Sequence, residues 1–215
     1  VYYLILTNFK LFMKKVILIL IVLSSFNIDC FAQYDSIHYI PPVYSKTNGA
    51  GDIGPHYIFL STNEINSFDV TIQEANGTIL AVKSISRTSP DSLYLGAGWD
   101  AINVIDATQL NLPLIDEGLI ITASSPFFSN LRQNSGSQAF SLTSKGSAAL
   151  GNRFRCGHMF SNKTGQDNTK SHMISVMATE DNTTVSFSDI SPGVIFNNTP
   201  VTGITSNDIN ITLNK

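Results

Sequence analysis

Cysteine is almost missing from this chain. Of two cysteines in 215 residues, Cys30 closes a leader-like stretch, and Cys156 alone remains beyond it. No disulfide within one mature chain is then possible, so a hydrophobic core must carry stability even in an oxidising compartment. Charge is also sparse, at 13% of residues, and basic runs are lacking. That removes the electrostatic footprint expected for a nucleic-acid partner or an anionic membrane surface. Long apolar runs are short of what a membrane demands: Val16–Leu23 falls well below the roughly 20 residues that cross a hydrocarbon core. Helical periodicity is nearly absent as well, which leaves strands to build the fold.

What is there begins with an export signal. Met13 precedes Lys14 and Lys15, then the apolar run Val16–Leu23, then a short polar stretch ending Cys30-Phe31-Ala32. This is the order of charged start, apolar centre and small-residue cleavage site found in secretory signal peptides, with cleavage expected after Ala32. A lipid-modified Cys30 is disfavoured because Asp29 directly before it fits poorly where a small residue is required. Val1–Phe12 lies ahead of a good start methionine and reads as untranslated upstream sequence or a mis-called start. Removing residues 1–32 takes three lysines and one aspartate from 13 basic and 16 acidic side chains, leaving 10 against 15 and a net charge of −5. The remaining 183 residues suffice for one large β domain or two small ones.

Beyond residue 32, runs rich in Val, Ile, Phe, Tyr and Thr recur between clusters of Gly, Asn, Asp, Ser and Pro. The rhythm predicts an all-β fold, an antiparallel β-sandwich of jelly-roll or Ig-like kind over residues 33–191. Residues 192–215 read as the start of a further β segment. Predicted strands include 38–44, 56–62, 67–74, 78–86, 92–95, 101–105, 118–124, 127–133, 139–143 and 153–160. Two hairpins are legible. One joins Phe68–Gln73 to Ile79–Val82 around Asn76-Gly77, a pair suited to a type I′ turn. The other joins 172–179 to 183–188 through Glu180-Asp181-Asn182, with Val185 and Phe187 alternating against polar neighbours. Ser144–Asn152 reads either as one helical turn or as a loop.

Chemistry-bearing motifs are weak. Gly96-Ala97-Gly98 imitates a dinucleotide-binding turn, but a strand-like Ile102–Ile105 follows where a helix would be needed to hold a pyrophosphate. His38, His56, His158 and His172 show no metal-ligand spacing. Cys156 sits in a strand-like stretch without an activating neighbour, and no Gly-x-Ser-x-Gly elbow occurs. Asp52, Asp100, Asp106, Asp116, Glu117, Glu180 and Asp181 offer oxygen ligands that calcium would accept, but they form no ordered ligand ladder. No cofactor and no catalytic residue is therefore expected.

Lys145–Gly157, with its Gly146-Ser147-Ala148-Ala149-Leu150-Gly151-Asn152-Arg153-Phe154, and Ser175–Phe187, with Ala178-Thr179-Glu180-Asp181-Asn182-Thr183, resemble the IgG-Fc-binding-protein amino-terminal domain family. His38–Pro42 and Gly118–Arg132 are similar to the amino-terminal part of large exported Bacteroidota surface proteins, many of which end in a gliding-motility-associated or type IX sorting domain. The resemblance implies a β module at the amino-terminal end of a surface protein. It transfers no antibody ligand, because kinship of fold does not carry a binding site with it. Stopping at Lys215 without adhesive repeats or a sorting domain, the chain reads as a truncated fragment.

Together these features lead to the expectation of a secreted or cell-surface β-sandwich module acting in adhesion, with an extracellular protein or glycan as ligand. A secreted glycosidase-like hydrolase and a non-binding structural spacer are the alternatives. Trp99, Tyr94, Phe127 and Phe128 are the candidate contact aromatics, expected near loops that join strands. The competing reading packs all four in the core.

Overall fold

The computed structural model describes residues 13–15, 33–44, 54–98, 101–106, 108–110, 112–134, 139–156, 173–189 and 209–214. The chain divides into two compact units, Val1–Phe31 and Ala32–Lys215. In the first, Met13–Lys15 are helical. Among the described residues no helix is long and apolar enough to cross a membrane.

The second unit is all-β, as its composition predicts. In chain order the strands are β1 (Asp35–Ile40), β2 (Val43–Tyr44), β3 (Pro55–Ser61), β4 (Phe68–Glu74), β5 (Ile79–Ile85), β6 (Asp91–Ala97), β7 (Val104–Ile105), β8 (Leu119–Gln133), β9 (Phe140–Thr143), β10 (Thr183–Phe187) and β11 (Ile209–Leu213). Seven of them form one sheet with the order β5-β4-β8-β3-β6, and β1 and β9 also pair with β8. All pairings in that sheet are antiparallel.

Strand β8 is the spine. Its first half pairs with β4 and β1, and its second half with β3 and β9. Period-two alternation puts Leu119, Ile121, Phe127, Ser129, Leu131 and Gln133 inward. One core cluster joins these to Ile40 of β1, Ile58 and Leu60 of β3, Val70 and Ile72 of β4, Ile85 of β5 and Leu95 of β6. Strands from both halves of β8 thus share a single core, which requires the sheet to curl over it.

Several local expectations are corrected. The two strands expected at 118–124 and 127–133 are one, with Ser125-Pro126 inside it. Pro126 has no N–H to give a ladder, and it falls where β8 changes partners, between Ala123 opposite Val70 and Phe128 opposite Ser61. The break expected from Ser-Ser-Pro is a change of neighbour without a loop. Around Asn76-Gly77 the hairpin forms, but not through a two-residue I′ turn. Gly77 N–H donates to Glu74 C=O at 2.9 Å, Gly77 alone has positive φ, and a bulge follows at Ile72/Gln73. This is the three-residue loop with a glycine bulge that competes with I′. The side chain of Asn76 caps the loop by accepting from Thr78 N–H at 2.8 Å.

Residues 146–149 form a 3-10 turn, which settles the helical alternative for that stretch. The hairpin expected to join 172–179 with 183–188 is not made. Residues 173–178 carry no strand, and β10 pairs with β11 instead, Val185 opposite Ile211. Met177 explains part of this: a Cβ at Gly118 would lie 3.0 Å from its Sδ and Cε, so this segment lies against the start of β8. The stretch 153–156 is exposed and not a strand, and the rest of the strand expected there lies outside the described residues.

Candidate functional site

Strand β3 reads His56-Tyr57-Ile58-Phe59-Leu60, an almost unbroken apolar run. Its alternation is real nonetheless: His56, Ile58 and Leu60 enter the core, and Tyr57, Phe59 and Ser61 face outward. Pairing then sets the neighbours. Tyr57 lies between Tyr94 of β6 and Arg132 of β8, and Arg132 is opposite Ser141 of β9. In the next row Phe59 lies between Ser92 and Asn130, and Asn130 is opposite Thr143. The outer face of these four strands is therefore an aromatic patch bordered by hydroxyls, one amide and one guanidinium.

The rings touch. Tyr57 and Tyr94 have centroids 5.3 Å apart, Tyr57 and Phe59 5.8 Å, both tilted. Tyr94 is 54% exposed and Phe59 41%. Arg132 lies over the Phe59 ring with Cζ 5.3 Å from the centroid, within cation–π range. Its Nε donates to Asn130 Oδ1 at 2.8 Å, and Asn130 Nδ2 donates to Thr143 Oγ1 at 2.8 Å and to Ser141 Oγ at 3.0 Å. Among the described residues no carboxylate pairs with Arg132. The guanidinium is thus held in place through Nε, and its Nη edge meets no acid among the described residues.

The four candidate aromatics part ways. Tyr94 belongs to this patch. Phe128 is half-buried on the outward side of β8, against Tyr34 at a centroid distance of 4.8 Å. Phe127 is not a surface contact: it is 0% exposed, with the His38 ring edge-on at 4.6 Å. Parity along β8 decides this, since 127 shares the inward face of Leu131 and 128 does not. Trp99 lies outside the described residues. Nor does the patch sit on loops, as expected; it lies on strands.

Tyr57, Phe59, Asn130 and Arg132 were not singled out from the sequence. The available signal was the aromatic content of β3, which has no polar residue between His56 and Leu60 to mark a wet face. A second feature lies on the outward side of β4, β5 and β8, an open groove of about 610 Å³ bordered by Ser67, Asp69, Thr71, Ser84, Thr122 and Ser124. Ser67 and Ser84 hydroxyls hydrogen-bond each other across it at 2.7 Å.

Inside, His38 and His56 are fully buried. His38 Nε2 is 2.9 Å from the Phe127 carbonyl, which can only accept, so Nε2 carries the proton and Nδ1 is left bare. His56 has neither nitrogen partnered. Burial pushes both pKa values below the ordinary range, opposed in His38 by the Phe127 carbonyl. Among the described residues no three His, Cys, Asp or Glu side chains converge as metal ligands. Several acids have partners: Asp35 accepts from Ser147, Asp91 pairs with Lys83 at 3.3 Å, and Asp106 accepts from Thr108, while Asp52 and Asp100 lie outside the described residues. Comparison with protein-family models, curated proteins and solved structures finds no match.

Proposed function

We propose that this chain is the amino-terminal β module of a secreted or cell-surface protein, and that it binds an extracellular ligand through the outer face of β3, β6, β8 and β9. The observation that carries this reading is the contiguous set Tyr57, Phe59 and Tyr94, left facing water beside a restrained Arg132. Single exposed apolar side chains are ordinary, but a connected aromatic patch with a polar rim is the composition of a binding surface. Aromatic and arginine side chains also dominate the energetics of recognition, because each buries a large rigid area at small entropic cost. The export signal at residues 13–32 supports an extracellular ligand. The resemblance of residues 145–157 and 175–187 to an amino-terminal domain family of surface proteins supports the placement.

The test is a glycan and extracellular-protein array probed with the exported chain and with Tyr94→Ala and Phe59→Ser variants, each checked by circular dichroism for an unchanged β signature. Saturable binding lost in both variants is the expected result. Binding that survives both would move the ligand site elsewhere, the hydroxyl-bordered groove being next, and no binding at all by the folded parent would favour a spacer.

A further inference from the structure

Resting on that reading of the aromatic face, we infer that its ligand is an acidic polysaccharide, whose sugar rings lie on Tyr57 and Tyr94 while a ring carboxylate pairs with Arg132. Three observations converge on this chemistry. The first is charge. Arg132 is the cation of the patch, and the eight side chains of its two cross-strand rows, from Tyr94 to Ser141 and from Ser92 to Thr143, include no acid. The chain is acidic overall, so selection of an anion rests on this one exposed guanidinium and on no basic surface; a neutral ligand would leave it hydrated. A carboxylate would meet it two-pronged, since a guanidinium presents a planar pair of N–H donors that matches two carboxylate oxygens.

The second observation is preorganisation. Nε is already committed to Asn130, Asn130 to Thr143 and Ser141, and the guanidinium rests on Phe59. Long side chains normally lose rotamer freedom on binding, and a restrained one loses less, so the donor pair is ready for an anion. Simple surface solubility would need none of these restraints. The third is shape. The patch is the outer face of a curled sheet, with partly exposed, mutually tilted rings next to hydroxyls and an amide. A pyranose offers a matching surface: one face of electropositive C–H groups for the negative face of an aromatic ring, and an edge of hydroxyls for Ser92, Ser141 and Thr143. Adjacent sugars of a polymer extend along such a face, and an acidic peptide, which would add to a strand edge such as that of β6 or β9, is told apart by the poly-glutamate comparison.

The experiment uses the exported full chain and isothermal titration with polygalacturonate, alginate and hyaluronate, each beside its carboxyl-reduced form, with poly-glutamate as the acidic peptide. The expected result is binding of at least one uronic-acid polymer, about tenfold or more tighter than its reduced counterpart, and weak binding of poly-glutamate. In Arg132→Gln the preference for the acidic form should vanish. In Arg132→Lys it should persist in part, and in Tyr94→Ala both forms should weaken together. Thermal melts matching the parent establish that these variants fold. Equal affinity for acidic and reduced polymers, a preference unchanged in Arg132→Gln, or poly-glutamate binding as tightly as the polysaccharides would each overturn the inference. So would failure of all three polymers. If a neutral glycan or a protein binds instead and Tyr94→Ala abolishes it, the face remains the binding site and only the acidic-glycan assignment falls.

Discussion

Asp35 and Ser147, 112 residues apart, are joined by two hydrogen bonds to one carboxylate oxygen, from the Ser147 amide at 2.7 Å and from its hydroxyl. The other oxygen accepts from Ser36 N–H at 2.7 Å. This clasp fastens the start of β1 to the 3-10 turn after β9, which no ladder connects. Burial resists ionisation of Asp35, but the bonds from Ser147, Ser36 and Ile37 outweigh it and hold the carboxyl below its usual range. A lowered folded pKa means that the stabilisation is complete above the unfolded value near 4 and is lost as pH falls through the folded value. Asp35→Asn should therefore lower unfolding free energy by about 1 kcal/mol at pH 7, a partly exposed charge-assisted bond being worth no more than that. In urea titrations at pH 7 and at pH 2.5 the gap between variant and parent should close at the lower pH; an equal gap at both would show that the charge is irrelevant.

Phe127 and Phe128 are adjacent in sequence and opposite in consequence. Truncating Phe127 to Ala opens a cavity in the shared core and should cost about 3–5 kcal/mol. Phe128→Ala loses part of a half-buried surface and its contact with Tyr34, and should cost about 1 kcal/mol. Denaturant midpoints of the two variants read the difference directly, and similar losses would contradict the inward parity of β8.

That parity was partly readable beforehand. Alternation in β4 and β8 is local information, and the all-β fold follows from it. Ser125-Pro126 hid the continuity of β8 because its residue types match loop chemistry, and only the partner change from β4 to β3 makes a proline tolerable there. The alternation of 183–188 marks a strand, but nothing local in it names 209–213 as its partner. The nearer segment is held at Gly118 by Met177, and the pairing passes to 209–213. The aromatic patch was the least legible. Tyr94 is identifiable as an aromatic, but its union with Tyr57, Phe59 and Arg132 depends on two long-range strand pairings that no local pattern encodes.

The buried histidines should make the fold sensitive to mild acid. Their folded pKa values are depressed, so near pH 6.5 and below the unfolded chain binds protons that the folded one refuses. Stability should thus be full above about pH 7 and fall as pH drops toward 5.5. His56 and His38 then separate by substitution. His56→Leu removes two unpartnered buried nitrogens and should raise stability by about 1 kcal/mol at pH 7 while flattening the pH dependence. His38→Leu breaks the bond to the Phe127 carbonyl and should cost about 1 kcal/mol. Urea midpoints at pH 7.5, 6.5 and 5.5 give both answers, and a parent curve flat over that range would show the rings to be solvated.

Gly77 and Gly146 share positive φ, at 89° and 56°, but not surroundings. A Cβ on Gly77 would meet nothing within 4 Å, so Gly77→Ala should cost only backbone strain, about 1 kcal/mol. One on Gly146 would come within 2.5 Å of Asp35 Cβ, in the clasp itself. Gly146→Ala should cost at least about 2 kcal/mol, because the strain is joined by displacement of β1. If that clash is the cause, removing the opposing carbon relieves it. The cost of Gly146→Ala should fall by about 1 kcal/mol or more in an Asp35→Gly background, a coupling that independent sites do not show. Additive costs in that double-mutant cycle would mean that the two segments separate freely and that the clasp does not hold β1 in place.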